Sequence, residues 1–239
     1  MGQVDILAIG AHPDDVELSA AGTLLKHRAM GFSTGIIDLT QGELGSRGTK
    51  ETRKEEAAAA SEILGLSARV NLKMADGFFT HSEENLRLLV EQIRRFKPVV
   101  VLMNAVSDRH PDHGKGSKLA SEACFLAGLR KVETAWEGKA QEAHRPKAVY
   151  HYIQDRYLKP DFAIDVTDYA EQKFDSIKAY KTQFWNPDST EPKTPISGEE
   201  FFEFLRGRMA EFGRSIGVRY AEGYTVERLP GVDSLFDLR

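Results

Sequence analysis

Five apolar runs recur between residues 4 and 153, and a helix-like pattern separates most neighbouring pairs. The runs are "VDILAIGA" (4–11), "STGIIDLT" (33–40), "ARVNL" (68–72), "PVVVLMNA" (98–105) and "KAVYHYI" (147–153). Helical spacing is read at 15–30, at 49–65 with Thr49 as cap and Gly65 as stop, at 83–96 and at 116–130. Runs this apolar are strands buried on both faces, which requires crossover connections and a mostly parallel sheet. The expectation is an α/β fold with a Rossmann-like, doubly wound sheet and helices on both faces. Its strand order is 3-2-1-4-5.

After "PDFAIDVT" (160–167) the pattern changes. Helices are expected at 168–184 and 198–214, separated by a polar, proline-rich loop, "NPDSTEPKTP" (186–195), which is a candidate lid. The organisation expected is one domain over 1–239. A core spans 1–153, and 154–239 forms a C-terminal helical or irregular extension of that domain.

Function is concentrated in two loops. "HPDD" (12–15) leaves the first strand, and "HPDH" (110–113) follows the fourth. Taken alone, Asp14 with Glu17 three residues on is a helix-capping pattern. The second loop changes that reading. In a doubly wound sheet the first and fourth strands flank the switch point, where ligands bind at the carboxyl ends of the strands. Six ionisable residues then face one crevice. His12 and Asp15 are spaced to point to one side, and His113 closes a set of two imidazoles and one carboxylate. This set suits a catalytic zinc, and non-haem iron uses a similar one. Asp14 is placed to take a proton from water, and His110 to face developing negative charge. Asp112 is expected to hold the tautomer of His110 and favour its protonated form. These parts point to metal-assisted hydrolysis of an amide or ester.

Other features narrow the field. No G-x-G-x-x-G follows the first strand, so a dinucleotide site is disfavoured. "GELGSRG" (42–48) is a loop for close approach, and Arg47 and Arg53 are candidates to meet a polar substrate. Net charge is −4 with no block of like charge, so no nucleic-acid partner is expected. The single cysteine, Cys124, reads as a core residue and fits a reducing compartment. With no leader pattern and no long apolar span, a cytoplasmic protein without a membrane partner is expected.

"AHPDDVELSAAGT", "GELGSRGT" with "ETRKEEA", and "RHPDHGKGS" together resemble the LmbE/PIG-L-like family of zinc-dependent N-acetylglucosaminide deacetylases. "YHYIQDRYLKPDFAIDVTDY", "KAYKTQFWNP" and the C-terminal stretch resemble its bacillithiol-biosynthesis branch. The resemblance implies Zn2+, with Fe2+ as a cellular alternative, on His12, Asp15 and His113. It implies Asp14 as general base and His110 with Asp112 as the oxyanion or leaving-group pair. Ser19, Arg53 and Asp76 are implied as substrate-binding residues, and a small N-acetylglucosaminide as substrate. By the same resemblance the substrate is N-acetylglucosaminyl malate and the assembly a homo-hexamer. Another N-acetylated sugar such as chitobiose, or a non-catalytic sugar-binding role, is the alternative. One position departs: Asp108 stands where the related mycothiol-pathway enzyme has a tyrosine.

Overall fold

The structure, a computed structural model, describes residues 2–237. Nine strands are present among these residues: β1 (Ile6–Gly10), β2 (Thr34–Thr40), β3 (Ala68–Met74), β4 (Val100–Met103), β5 (Ala135–Trp136), β6 (Lys139–Ala140), β7 (Ala148–Tyr152), β8 (Phe162–Asp165) and β9 (Ala221–Val226). The helices are α1 (Asp15–Ala29), α2 (Lys50–Leu64), α3 (Glu83–Phe96), α4 (Pro111–Ala127), α5 (Ala170–Lys178) and α6 (Glu200–Ser215).

Seven strands form one sheet in the order β3-β2-β1-β4-β7-β9-β8. The first five pair in parallel, in the expected order, and β9 runs antiparallel between β7 and β8. Alternation along β1 explains the two layers of helices. Leu7 and Ile9 pack into a core with Leu89, Ile93 and Leu119 of α3 and α4. Ile6 and Ala8 face the other way, against Val16, Ala20 and Leu24 of α1. A strand buried on both faces needs apolar residues at every position, and β1 has them up to Gly10. Cys124 is buried in the first of these cores. Thr49 accepts the Thr52 amide at the start of α2, and Gly65 ends it in the left-handed conformation.

The structure differs from the sequence pattern in three places. α4 starts at Pro111, five residues before the expected 116, so "HPDHG" is a helix start. Pro111 sits in the first turn, where its fixed φ favours a helix and its missing N–H costs nothing. Gly116 allows α4 to lie close to the sheet, because a Cβ there would meet Leu39 at 3.1 Å. The helix expected over 168–184 spans only Ala170–Lys178. The C-terminal extension also completes the sheet with β8 and β9.

Candidate metal centre

β1 and β4 are adjacent and in register, with Ile9 opposite Met103, so the segments that leave their carboxyl ends meet. His12, Asp14, Asp15, His110 and His113 all line one cavity of about 470 Å³. The His12 ring lies 4.6 Å from that of His110 and 5.6 Å from that of His113, centroid to centroid. Ligand atoms of His12, His110 and His113 fall within 4.8 Å of one another, and so do those of His12, Asp76 and Asp112. Either group can hold a metal ion.

The imidazoles of His12 and His113 are each held between two carboxylates, through opposite ring nitrogens. His12 turns Nε2 to Asp76 at 3.0 Å and leaves Nδ1 toward Asp15, at 3.5 Å. His113 donates from Nδ1 to Asp108 at 2.6 Å and leaves Nε2 toward Asp15, at 3.1 Å. Each ring is thus held by an outer carboxylate and offers its other nitrogen to a shared inner one. Metal-ligating histidines are supported in this way, since the outer partner fixes the tautomer and raises ligand basicity. Burial opposes a charged His113, yet Asp15 and Asp108 push it up to about 9. Burial likewise opposes a charged His12, and its bonds to Asp112, Asp15 and Asp76 hold it well above the usual range. The centre favours positive charge, and the donor set fits a divalent cation.

Asp14 does not cap α1 with its side chain. Its backbone is left-handed, φ 119°, a conformation that costs a non-glycine residue roughly 1–3 kcal/mol. Its carboxylate lies 3.2 Å from Arg53 Nη2, and Arg53 also donates to the Pro13 carbonyl at 2.5 Å. Burial pushes the Asp14 carboxyl up to about 7 against the pull of Arg53. A carboxylate in that range suits general-base work near neutral pH. Glu17, the other half of the capping pattern, is fully buried against Arg69 at 2.6 Å and Tyr180 at 2.9 Å. The capping reading therefore fails at both residues.

His110 and Asp112 meet differently from expectation. The backbone N–H of Asp112 donates to His110 Nδ1 at 3.2 Å, which leaves the His110 proton on Nε2. The Asp112 carboxylate instead faces Lys115 at 2.6 Å, the Gly77 amide at 2.7 Å and His12 at 3.4 Å. Burial, with His12 and His113 nearby, holds His110 below the ordinary histidine range. Its Nε2 is the nitrogen that can donate into the cavity.

The three residues implied for substrate, Ser19, Arg53 and Asp76, all line the cavity. The buried Ser19 hydroxyl has no hydrogen-bond partner among the described residues. Both oxygens of Asp76 are engaged, one by His12 and one by the Leu44 amide at 2.9 Å. Arg47 bonds Ser189, and the Gly48 amide donates to Glu191 at 3.2 Å, so the 186–195 loop lies on the 42–48 loop. α6 adds an apolar wall of Phe201, Phe204 and Leu205.

Sequence reasoning missed Asn104, Gln154 and the contribution of Asp108. The available signal was a lone polar residue, Asn104, ending an apolar run at the switch point. Asp108, noted only as a departure, is the partner of His113.

A family model, PIG-L (GlcNAc-PI de-N-acetylase), matches residues 7–124. The chain is 36% identical to the conserved protein TT1542 of Thermus thermophilus. The two structures superpose with a TM-score of 0.86 over 98% of this chain and 99% of that one. It is 28% identical to the diacetylchitobiose deacetylase of Thermococcus kodakarensis over 95% of this chain and 84% of that protein. It is 27% identical to the 4-oxalmesaconate hydratase of Pseudomonas putida over 76% of this chain and 74% of that protein. By these matches and the motifs that line its cavity, the chain belongs to the PIG-L (LmbE-like) family of deacetylases.

Proposed function

We propose that the protein hydrolyses the acetamide of an N-acetylglucosaminyl compound. The observation that carries this reading is the Asp15 carboxylate between two imidazoles, each backed by a buried carboxylate, with Asp14 next in the chain. His12, Asp15 and His113 are assigned as ligands of a zinc ion, with iron as the cellular alternative. When bound, the metal supplies Lewis acidity for amide hydrolysis. Asp14 takes a proton from the attacking water. His110 donates from Nε2 to the developing oxyanion. The C–N bond breaks and the proton held by Asp14 passes to the leaving nitrogen, giving acetate and a free amine. Ser19 and Arg53 are assigned to polar groups of the sugar.

The finer reading is deacetylation of N-acetylglucosaminyl malate, on the way to bacillithiol, by a cytoplasmic homo-hexamer. The C-terminal half of the sequence supports that branch. Arg109, at the cavity and paired with Asp155 at 3.2 Å, is the cation we assign to an acidic aglycone. A second reading, diacetylchitobiose as substrate, is favoured by the Thermococcus relative. No helix among the described residues is long and apolar enough to cross a membrane.

Metal analysis of the purified protein and an amine-release assay test these readings. The substrates are N-acetylglucosaminyl malate, diacetylchitobiose and N-acetylglucosamine, with 4-oxalmesaconate as a control. Stoichiometric zinc or iron and amine release are expected, with the malate compound turned over fastest. Hydration of the control without amine release from any sugar would overturn the deacetylase reading. Light scattering tests the hexamer.

A further inference from the structure

The Asp15 carboxylate has a second set of partners that the catalytic scheme leaves unused. Asn104, just past β4, donates from Nδ2 to Asp15 Oδ2 at 3.0 Å. Gln154, just past β7, donates from Nε2 to Asp15 Oδ1 at 3.1 Å. The two amides are joined, with Asn104 Nδ2 donating to Gln154 Oε1 at 2.8 Å. The Asn104 amide can face only one way, because its Oδ1 accepts the Ala11 N–H at 2.9 Å. Its backbone carbonyl accepts from His151 Nδ1 at 3.0 Å, and His151 Nε2 meets Glu227 at 3.0 Å. Asn104, Gln154 and Asp15 are all buried.

We infer that Asn104 and Gln154 are positioning residues that clamp Asp15 as a metal ligand, one amide on each oxygen. This inference rests on the assignment of Asp15 as a ligand. The chemistry favours amides at both places. They donate to a carboxylate without carrying charge, so they orient Asp15 without competing for the metal. A lysine or arginine there would neutralise the ligand, and an acid would repel it. Each amide ties Asp15 to the end of a different strand, so the ligand inherits the rigidity of the sheet. An outer hydrogen bond of this kind is typically worth about 10–100-fold in metal affinity.

The test uses Co2+ as the probe on chelator-treated protein, with Gln154→Met, which keeps the side-chain volume and removes the donor. We expect Co2+ to bind Gln154→Met about 10–100-fold more weakly than the wild type in competition with a chelator. We also expect a shifted visible Co2+ spectrum, and at saturating metal a lower kcat with KM unchanged. Gln154→Ala, which removes the same donor without adding bulk, must weaken Co2+ binding and shift the spectrum in the same way. Wild-type affinity and spectrum in a folded variant overturn the clamp and leave the metal reading standing. Failure of the wild-type chain to bind Co2+ at all overturns the metal reading and the clamp with it.

Discussion

The chain contains His-Pro-Asp twice at the switch point, and the two copies are built differently. In the first, His12 and Pro13 precede α1, and the turn into the helix passes through the left-handed backbone of Asp14. In the second, His110 is the N-cap of α4, Pro111 opens the helix, and His113 sits in its first turn. The histidines of the shared tripeptide therefore differ in freedom. His12 contacts three carboxylates, those of Asp15, Asp76 and Asp112. His110 is held by one backbone amide and keeps an N–H for the cavity. A repeated motif fixes which atoms reach a site, and helix registry decides what each one does there.

The largest effect expected comes from removing an imidazole that faces Asp15. His113→Ala loses metal and turnover together, as does chelation of the wild type, which added zinc should reverse. His110→Ala is the contrasting arm and keeps its metal. Metal content beside amine release separates the two histidines, and a His113→Ala protein with full metal would remove that residue from the ligand set.

The acids come next. Asp14→Asn preserves the size of the side chain and the left-handed turn, which asparagine tolerates. We expect unchanged metal content and a kcat lower by roughly 10²–10⁴-fold. Near-normal turnover would end its assignment as base. Asp108→Asn probes the support of His113 and is expected to weaken metal binding by about 10–100-fold. A chelator titration measures this, and unchanged affinity would make Asp108 a bystander.

The smallest effect lies in the backbone of the second loop. Pro111→Ala frees the unfolded chain without breaking a contact at the centre. A stability loss of about 0.4–1 kcal/mol is expected in urea denaturation, with kcat unchanged. A clear fall in kcat would mean that the first turn of α4 is set by the proline and not by the sheet.

The misses follow one physical pattern. β9 escaped the sequence reading because Glu222 and Gly223 interrupt its apolar character. In the fold Glu222 is buried against Lys173 at 2.6 Å and accepts the Gly22 and Thr23 amides of α1 at 3.0 and 2.7 Å. A charge reads as solvent-facing unless its partner, 49 positions away, is known. The surroundings of Asp76 and Asp112 escape a local reading for the same reason. Their actual partners, the Leu44 amide and His12 for one, Lys115 and the Gly77 amide for the other, are set by how loops stack above the sheet.

Periodicity and loop chemistry by themselves determined the parallel order of five strands, the helices on both faces and the meeting of two His-Pro-Asp segments. These follow from local rules: which residues a two-sided strand must carry, and where a doubly wound sheet opens. Tertiary structure alone decided which nitrogen of each histidine faces Asp15 and which carboxylate backs it. It also decided that Asn104 and Gln154 flank Asp15 and that Asp14 takes a left-handed turn. Hydrogen bonds act over about 3 Å, and residues dozens of positions apart come that close only once the chain has packed.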